Sequence, residues 1–151
     1  MNTLKLERTN SSNSDFQSLI TKLDLYLAEK DGDDAPFFAA LNTVTLINHV
    51  IVAYEANIAV GCGAIKKYDK DHIEIKRMFV EPSQRNKGVA KAILKELQTW
   101  SKELNYDTCI LETGVKMTEA IELYKKEGFL QIHNYGPYKN IEESVCFKKH
   151  L

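Results

Sequence analysis

Two periodicities alternate along the chain. Residues 3–9 (TLKLERT) switch between apolar and polar, which predicts an edge strand. Phe16, Leu19, Ile20, Leu23 and Leu27 follow at three-and-four spacing behind Asn13 and Ser14, either of which can cap a helix over residues 15–29. KDGDD (30–34) reads as a turn and APFFAALN (35–42) as a second, short helix. HVIVAYEANIAVGCGAIKKY (49–68) divides at Glu55-Ala56-Asn57 into the two strands of a hairpin. After the turn DKD comes the strand HIEIKRMFV (72–80). Its alternation predicts Glu74, Lys76 and Met78 on one face and Ile73, Ile75 and Arg77 on the other.

The segment from Gly88 to about Asn105 is the strongest helix, with Val89, Ile93, Leu97, Trp100 and Leu104 along one face. TCILET (108–113) is short and continuously apolar, as expected of a buried central strand. MTEAIELYKKEG (117–128) is a helix closed by Gly128. FLQIHNY (129–135) and ESVCFKKHL (143–151) are two last strands across the turn GPYKN. The order β-α-α-β-β-β-α-β-α-β-β predicts an α/β (α+β) mixed sheet, antiparallel early and parallel around the long helix.

Composition narrows the class. A chain of 151 residues with 44% hydrophobic and 27% charged residues fits one domain over 1–151. A net charge of −1 gives no general attraction to nucleic acid or to a membrane surface. No apolar run is long enough to span a bilayer, and MNTLKLERTN lacks a leader pattern. Cys62, Cys109 and Cys146 sit singly in apolar contexts, which predicts reduced, buried thiols and a cytoplasmic protein. His49 and His72 are isolated, and no cluster has metal-ligand spacing.

The stretch VEPSQRNKGVAKAIL (80–94) carries the candidate chemistry. The first N–H groups of a helix have no intrahelical partner and lie at the positive end of its dipole, so a phosphate satisfies both. Gly88 lets an anion approach the backbone, Ala90 keeps the next inward position small, and Arg85 and Lys87 add positive charge. The stretch matches neither a P-loop nor a Rossmann fingerprint.

Arg85-x-x-Gly88-x-Ala90 fits [QR]-x-x-G-x-[GA]. TGVKMTEAIELYKKEGF fits A-x-x-L-Y-x-x-x-G-F at Ala120, Leu123, Tyr124, Gly128 and Phe129. With these two landmarks the chain resembles the GNAT superfamily of acetyl-CoA-dependent N-acetyltransferases. The resemblance implies a central mixed sheet of six to seven strands with about four helices. It implies that backbone N–H groups of Arg85, Asn86, Lys87, Gly88, Val89, Ala90 and Lys91 bind the coenzyme pyrophosphate. Met78, Phe79 and Val80 would pair their main chain with the pantetheine arm, between splayed strands at 73–80 and 108–113. Lys87, Lys91 and Lys95 are candidates for the 3′-phosphate. Asn86 stands where a first glycine is common in the signature, and Met117 where the family often has an asparagine contacting the coenzyme.

Acetyl transfer to an amine needs a base, stabilisation of the developing oxyanion and an acid for the leaving thiolate. By resemblance Tyr124 is the acid. Glu74 is the base, directly or through a water, and the Met78 carbonyl region and Val80 N–H form the oxyanion environment. The plainer alternatives are an ion pair of Glu74 with Lys76 or with a neighbouring strand, and a core tyrosine on an amphipathic helix for Tyr124. The substrate groove would be walled by the early helices and the last hairpin. There Asp31, Asp33 and Asp34 are either a site for a cationic amine or, as is commoner for such a cluster, an exposed turn, and His133, Tyr135 and Tyr138 are candidates for the other wall. The partners implied are acetyl-CoA and an amine, in a family where homodimers are common. A non-catalytic acetyl-CoA-binding regulatory module is the competing reading.

Overall fold

The computed structural model describes residues 3–31 and 46–151. The elements are β1 (Leu4–Thr9), α1 (Ser14–Asp31), β2 (His49–Glu55), β3 (Ile58–Lys67), β4 (His72–Val80), α2 (Val89–Glu103), β5 (Thr108–Gly114), α3 (Thr118–Lys126), β6 (Leu130–Ile132) and β7 (Ser144–His150). Among the described residues the strands form one seven-stranded sheet in the order β1-β2-β3-β4-β5-β7-β6. The β4–β5 pair is parallel and the others are antiparallel. The short helix expected over 35–42 and the side chains of Asp31, Asp33 and Asp34 lie outside the described residues.

Local chemistry sets the ends of the elements. The Phe16 N–H donates to Asn13 Oδ1 at 2.9 Å, so Asn13 caps α1. The β2–β3 hairpin turns on Ala56 and Asn57, both with positive φ (50° and 68°), as a two-residue turn matched to strand twist requires. At the end of α3, Gly128 takes φ 91° and the Phe129 N–H donates to the Tyr124 carbonyl at 2.9 Å, closing the helix. β6 is shorter than its sequence suggests. The Asn134 amide donates to the carbonyls of Ile141 and Ser144 (3.0 Å each) and ties the chain off as a loop where the ladder would continue.

Helices cover both faces of the sheet. On one face Phe16, Leu19 and Leu23 of α1 pack on Val50, Val52 and Phe79. On the other, Ile93, Leu94 and Leu97 of α2 pack on Ile51, Ile65 and Ile73, joined by Tyr124 and Phe129. Each such fully buried aliphatic or aromatic side chain contributes about 1.5–3 kcal/mol. Gly63 sets the approach of α2. A Cβ there would come within 2.6 Å of Met78 Sδ, 2.8 Å of Ile93 Cγ2 and 2.9 Å of Leu97 Cδ1.

Strand β4 departs from simple alternation. Cys62 pairs with Phe79 and Ala64 with Lys76, so Arg77 and Met78 together oppose Gly63 alone. This is a β-bulge, and Arg77 takes φ 60° to make it. The expectation that Met78 shares a face with Glu74 and Lys76 is therefore corrected. Met78 packs on the α2 side, with Ile73 and Ile75. Arg77 turns instead to α1, where its NH2 donates to Asp24 Oδ2 at 3.1 Å.

Candidate active site

The parallel β4–β5 pairing runs only through His72–Thr108, Ile73–Cys109 and Glu74–Ile110. Beyond Glu74 the two strands part, and from Ile75 to Val80 the edge of β4 facing β5 has no strand partner among the described residues. Glu74 thus stands at the apex of a fork. A cleft of about 400 Å³ occupies the fork, reaching from α1 on one side of the sheet to α2 and α3 on the other.

The loop 85–88 forms one end of the cleft. Asn86 and Gly88 both take left-handed backbone angles, φ 64° and 83°, the conformation from which backbone anion-binding nests are built. Asparagine is one of the few residues that accepts this conformation, so Asn86 fills the glycine-like position without breaking the loop. A Cβ built on Gly88 meets no atom within 4 Å, leaving open space over the N-terminus of α2. These features fit a pyrophosphate.

The named loop residues divide. Arg85, Asn86, Gly88, Ala90 and Lys91 line the cleft, as do Met78, Phe79 and Val80. Val89 sends its side chain into the core with Ile93, and Lys87 and Lys95 are exposed outside the lining. Lys91 Nζ lies 4.0 Å from Glu127 Oε2. Arg85 folds back: its Nε donates to the Val80 carbonyl at 3.1 Å, and its guanidinium lies 5.0 Å from the Tyr26 ring centre. Met117 precedes the first turn of α3 with no side-chain cap, and it also lines the cleft.

Tyr124 and Glu74 enter the cleft from opposite faces of the sheet. Tyr124 is buried on α3, edge-on to Phe129 at 5.7 Å. Burial, and then the charge of Glu112, push its phenol pKa up, so it holds its proton. Glu74 alternates with the core residues Ile73 and Ile75 and so points to the α1 side. Its Oε2 accepts a 2.6 Å hydrogen bond from the Tyr135 hydroxyl, and its Oε1 lies 3.6 Å from Lys76 Nζ. Both partners are present, the ion pair and a tyrosine.

Tyr135 is set edge-on between Tyr68 (5.2 Å) and Tyr138 (5.8 Å). Burial and the Glu74 carboxylate push its pKa up, which keeps it a donor. Tyr138 is buried and lines the cleft, whereas His133 is exposed and does not. Glu112 Oε2 accepts from the Ser144 hydroxyl at 2.6 Å. Residues of the cleft that sequence reasoning missed include Tyr26, Lys30, Arg77, Glu112 and Lys116, and Lys76 was noted only as a partner of Glu74. None belongs to a local motif, because their positions come from pairing between distant segments. Among the described residues no group of His, Cys, Asp and Glu is arranged to hold a metal.

Known proteins agree with this geometry. Residues 14–129 match the model of the Acetyltransferase (GNAT) family. An IAA acetyltransferase of Azospirillum brasilense is 31% identical over 135 residues, covering 88% of each chain. The uncharacterised N-acetyltransferase YsnE of Bacillus subtilis is 35% identical over 101 residues, 66% of this chain and 67% of its own. Among solved structures, a candidate acyl-CoA N-acyltransferase of Klebsiella pneumoniae superposes with a TM-score of 0.82 at 24% identity, over 98% of this chain and 97% of its own. A GNAT acetyltransferase of Elizabethkingia anophelis with acetyl-CoA bound has a TM-score of 0.71 at 19% identity over the full length of both chains. With its forked β4–β5 pair, its left-handed loop before α2 and these relatives, the chain belongs to the GNAT family of acetyltransferases.

Proposed function

We propose that residues 1–151 form one acetyl-CoA-dependent N-acetyltransferase domain that moves an acetyl group directly onto a primary amine. The observation that carries this reading is the meeting of Glu74 and Tyr124 at one fork from opposite faces of the sheet. The amine approaches from the α1 side and the thioester sulfur lies on the α3 side. The coenzyme supplies the activated acetyl group. The chain's part is to bind, orient and exchange protons.

Backbone N–H groups across Arg85–Lys91 hold the pyrophosphate in this reading, and the edge of Met78–Val80 that β5 leaves open holds the pantetheine arm. Main chain does most of this binding, so side chains such as Lys87 need not contribute. Arg85 occupies the Val80 carbonyl and leans on Tyr26, fixing the loop to α1. Glu74 draws a proton from the ammonium, and the free amine attacks the carbonyl carbon. The N–C bond forms as the C–S bond breaks. Tyr124 gives its proton to the sulfur, and the nitrogen's remaining surplus proton replaces it. The three unpaired buried thiols support a cytoplasmic setting.

Thermal unfolding with acetyl-CoA, CoA, ATP and NAD tests the cofactor half. A ligand at a hundred times its dissociation constant adds about 2.7 kcal/mol, a rise of several degrees in Tm. The expected rise is with the CoA species alone, followed by amine-dependent release of free thiol. A rise without thiol release from any amine favours a binding module, and no rise with any CoA species ends the reading.

A further inference from the structure

We propose that the acceptor is an α-amino acid, its amine taken by Glu74 and its α-carboxylate by Lys76; this rests on the acetyltransferase reading above. The two oxygens of Glu74 are not equivalent. Oε2 is committed to the Tyr135 hydroxyl at 2.6 Å, which leaves Oε1 for an incoming amine. The cation beside Oε1 is Lys76 Nζ, at 3.6 Å. That spacing is longer than a hydrogen bond, so the pair lies side by side without locking. Both side chains are mostly buried, 13% and 18% exposed, and both line the cleft.

An amino acid presents the complementary pair. Its amine and carboxylate share one carbon, so their charges lie about 3 Å apart. An amine seated at Oε1 brings the carboxylate to Lys76. A protein lysine or a peptide N-terminus carries no carboxylate beside its amine and leaves the Lys76 ammonium without that partner. Two further cations stand at the rim on the same side: Lys30 on the last turn of α1, and Lys116, whose Nζ donates to the Lys30 carbonyl at 3.4 Å. The facing wall is Leu23, Tyr26 and Leu27 of α1, which suits an apolar side chain.

The test uses the full chain with saturating acetyl-CoA and follows free thiol. Two matched sets are compared: leucine, leucinamide and isopentylamine, then phenylalanine, phenylalaninamide and phenethylamine. The expected kcat/KM is about ten- to a hundredfold higher for each amino acid than for its amide or bare amine. Lys76→Met is expected to bring the amino acid down to the level of its amide with acetyl-CoA affinity unchanged, and Lys76→Arg to restore part of the preference. Equal turnover within each set, a preference that survives in Lys76→Met, or faster turnover of a lysine-bearing peptide overturns this inference and leaves the acetyltransferase reading standing. Thiol release from no amine at all overturns both.

Discussion

On the α2 and α3 side of the fork, the cleft wall comes from two short local stretches, residues of 85–91 and of 117–124, and from the exposed main chain of β4. On the α1 side it comes from side chains held by partners far away in the chain: the Tyr135–Glu74 bond spans 61 residues and the Arg77–Asp24 bond spans 53. In the proposed reading the first side binds its ligand through groups that every residue carries, so its shape follows from a short local pattern. The second would bind through particular side chains and is assembled only when α1, β4 and the loop before β7 meet. A family that keeps one coenzyme and changes its acceptor is expected to hold the first side constant and vary the second.

The sharpest way to break this contrast is to disable each side alone. Glu74→Gln is expected to lower kcat/KM by about 10²–10⁴ with the acetyl-CoA dissociation constant unchanged, since the proposed base is lost and the loop 85–91 is untouched. Tyr124→Phe is expected to lower kcat by about 10², again with coenzyme affinity retained, because only a buried proton donor is removed. Gly88→Glu is the reverse case. It places a negative side chain over the α2 N-terminus at a left-handed backbone position, and titration calorimetry should show acetyl-CoA affinity falling by about a hundredfold. Equal damage to both functions by any one of these would erase the distinction between the two sides.

Tyr135→Phe gives a smaller, more selective effect. Losing the donor to Glu74 Oε2 should lower kcat/KM by about tenfold and leave Tm and coenzyme affinity nearly unchanged. An unaltered rate would remove Tyr135 as a positioning residue.

The smallest effect reports on the two cores beneath these sides. Burial pushes the Cys62 thiol, under α1, up to about 12, and the Cys109 thiol, under α2, up to about 11. An unfolded thiol ionises near 9, so above that pH the unfolded state binds fewer protons than the folded one. Their contribution to stability is complete below pH 9 and is lost as pH rises through 11 to 12. A melting series is expected to show Tm falling between about pH 9 and 11, less steeply in Cys62→Ala.

The same contrast explains what could be read from the sequence. The hairpin at Ala56-Asn57, the α2 amphipathic face and the loop at Arg85–Gly88 each depend on a few adjacent residues, and the structure has them where the pattern puts them. The bulge at Arg77 left no mark in its own strand, whose alternation looks regular. The signal was across the ladder, in Gly61 and Gly63 of β3, where α2 leaves no room for side chains. Lys76, Tyr26 and Lys116 follow no periodicity because nothing local requires them. The link between Tyr135 and Glu74 was reachable only as two separate candidates, one on a strand and one on a loop.

The extra residue at Arg77 acts as a phase shift in β4. Before it, even-numbered side chains carry charge toward α1; after it, Met78 and Val80 face α2 while Phe79 faces α1. One strand thus serves as a polar cleft floor in its first half and as a packing surface in its second. Removing the shift by deleting a single residue would leave the hydrophobic count almost unchanged. It would nonetheless exchange the two faces of everything on one side of the cut, so the reading frame of this strand, more than its composition, ties the Glu74 carboxylate to a packed core.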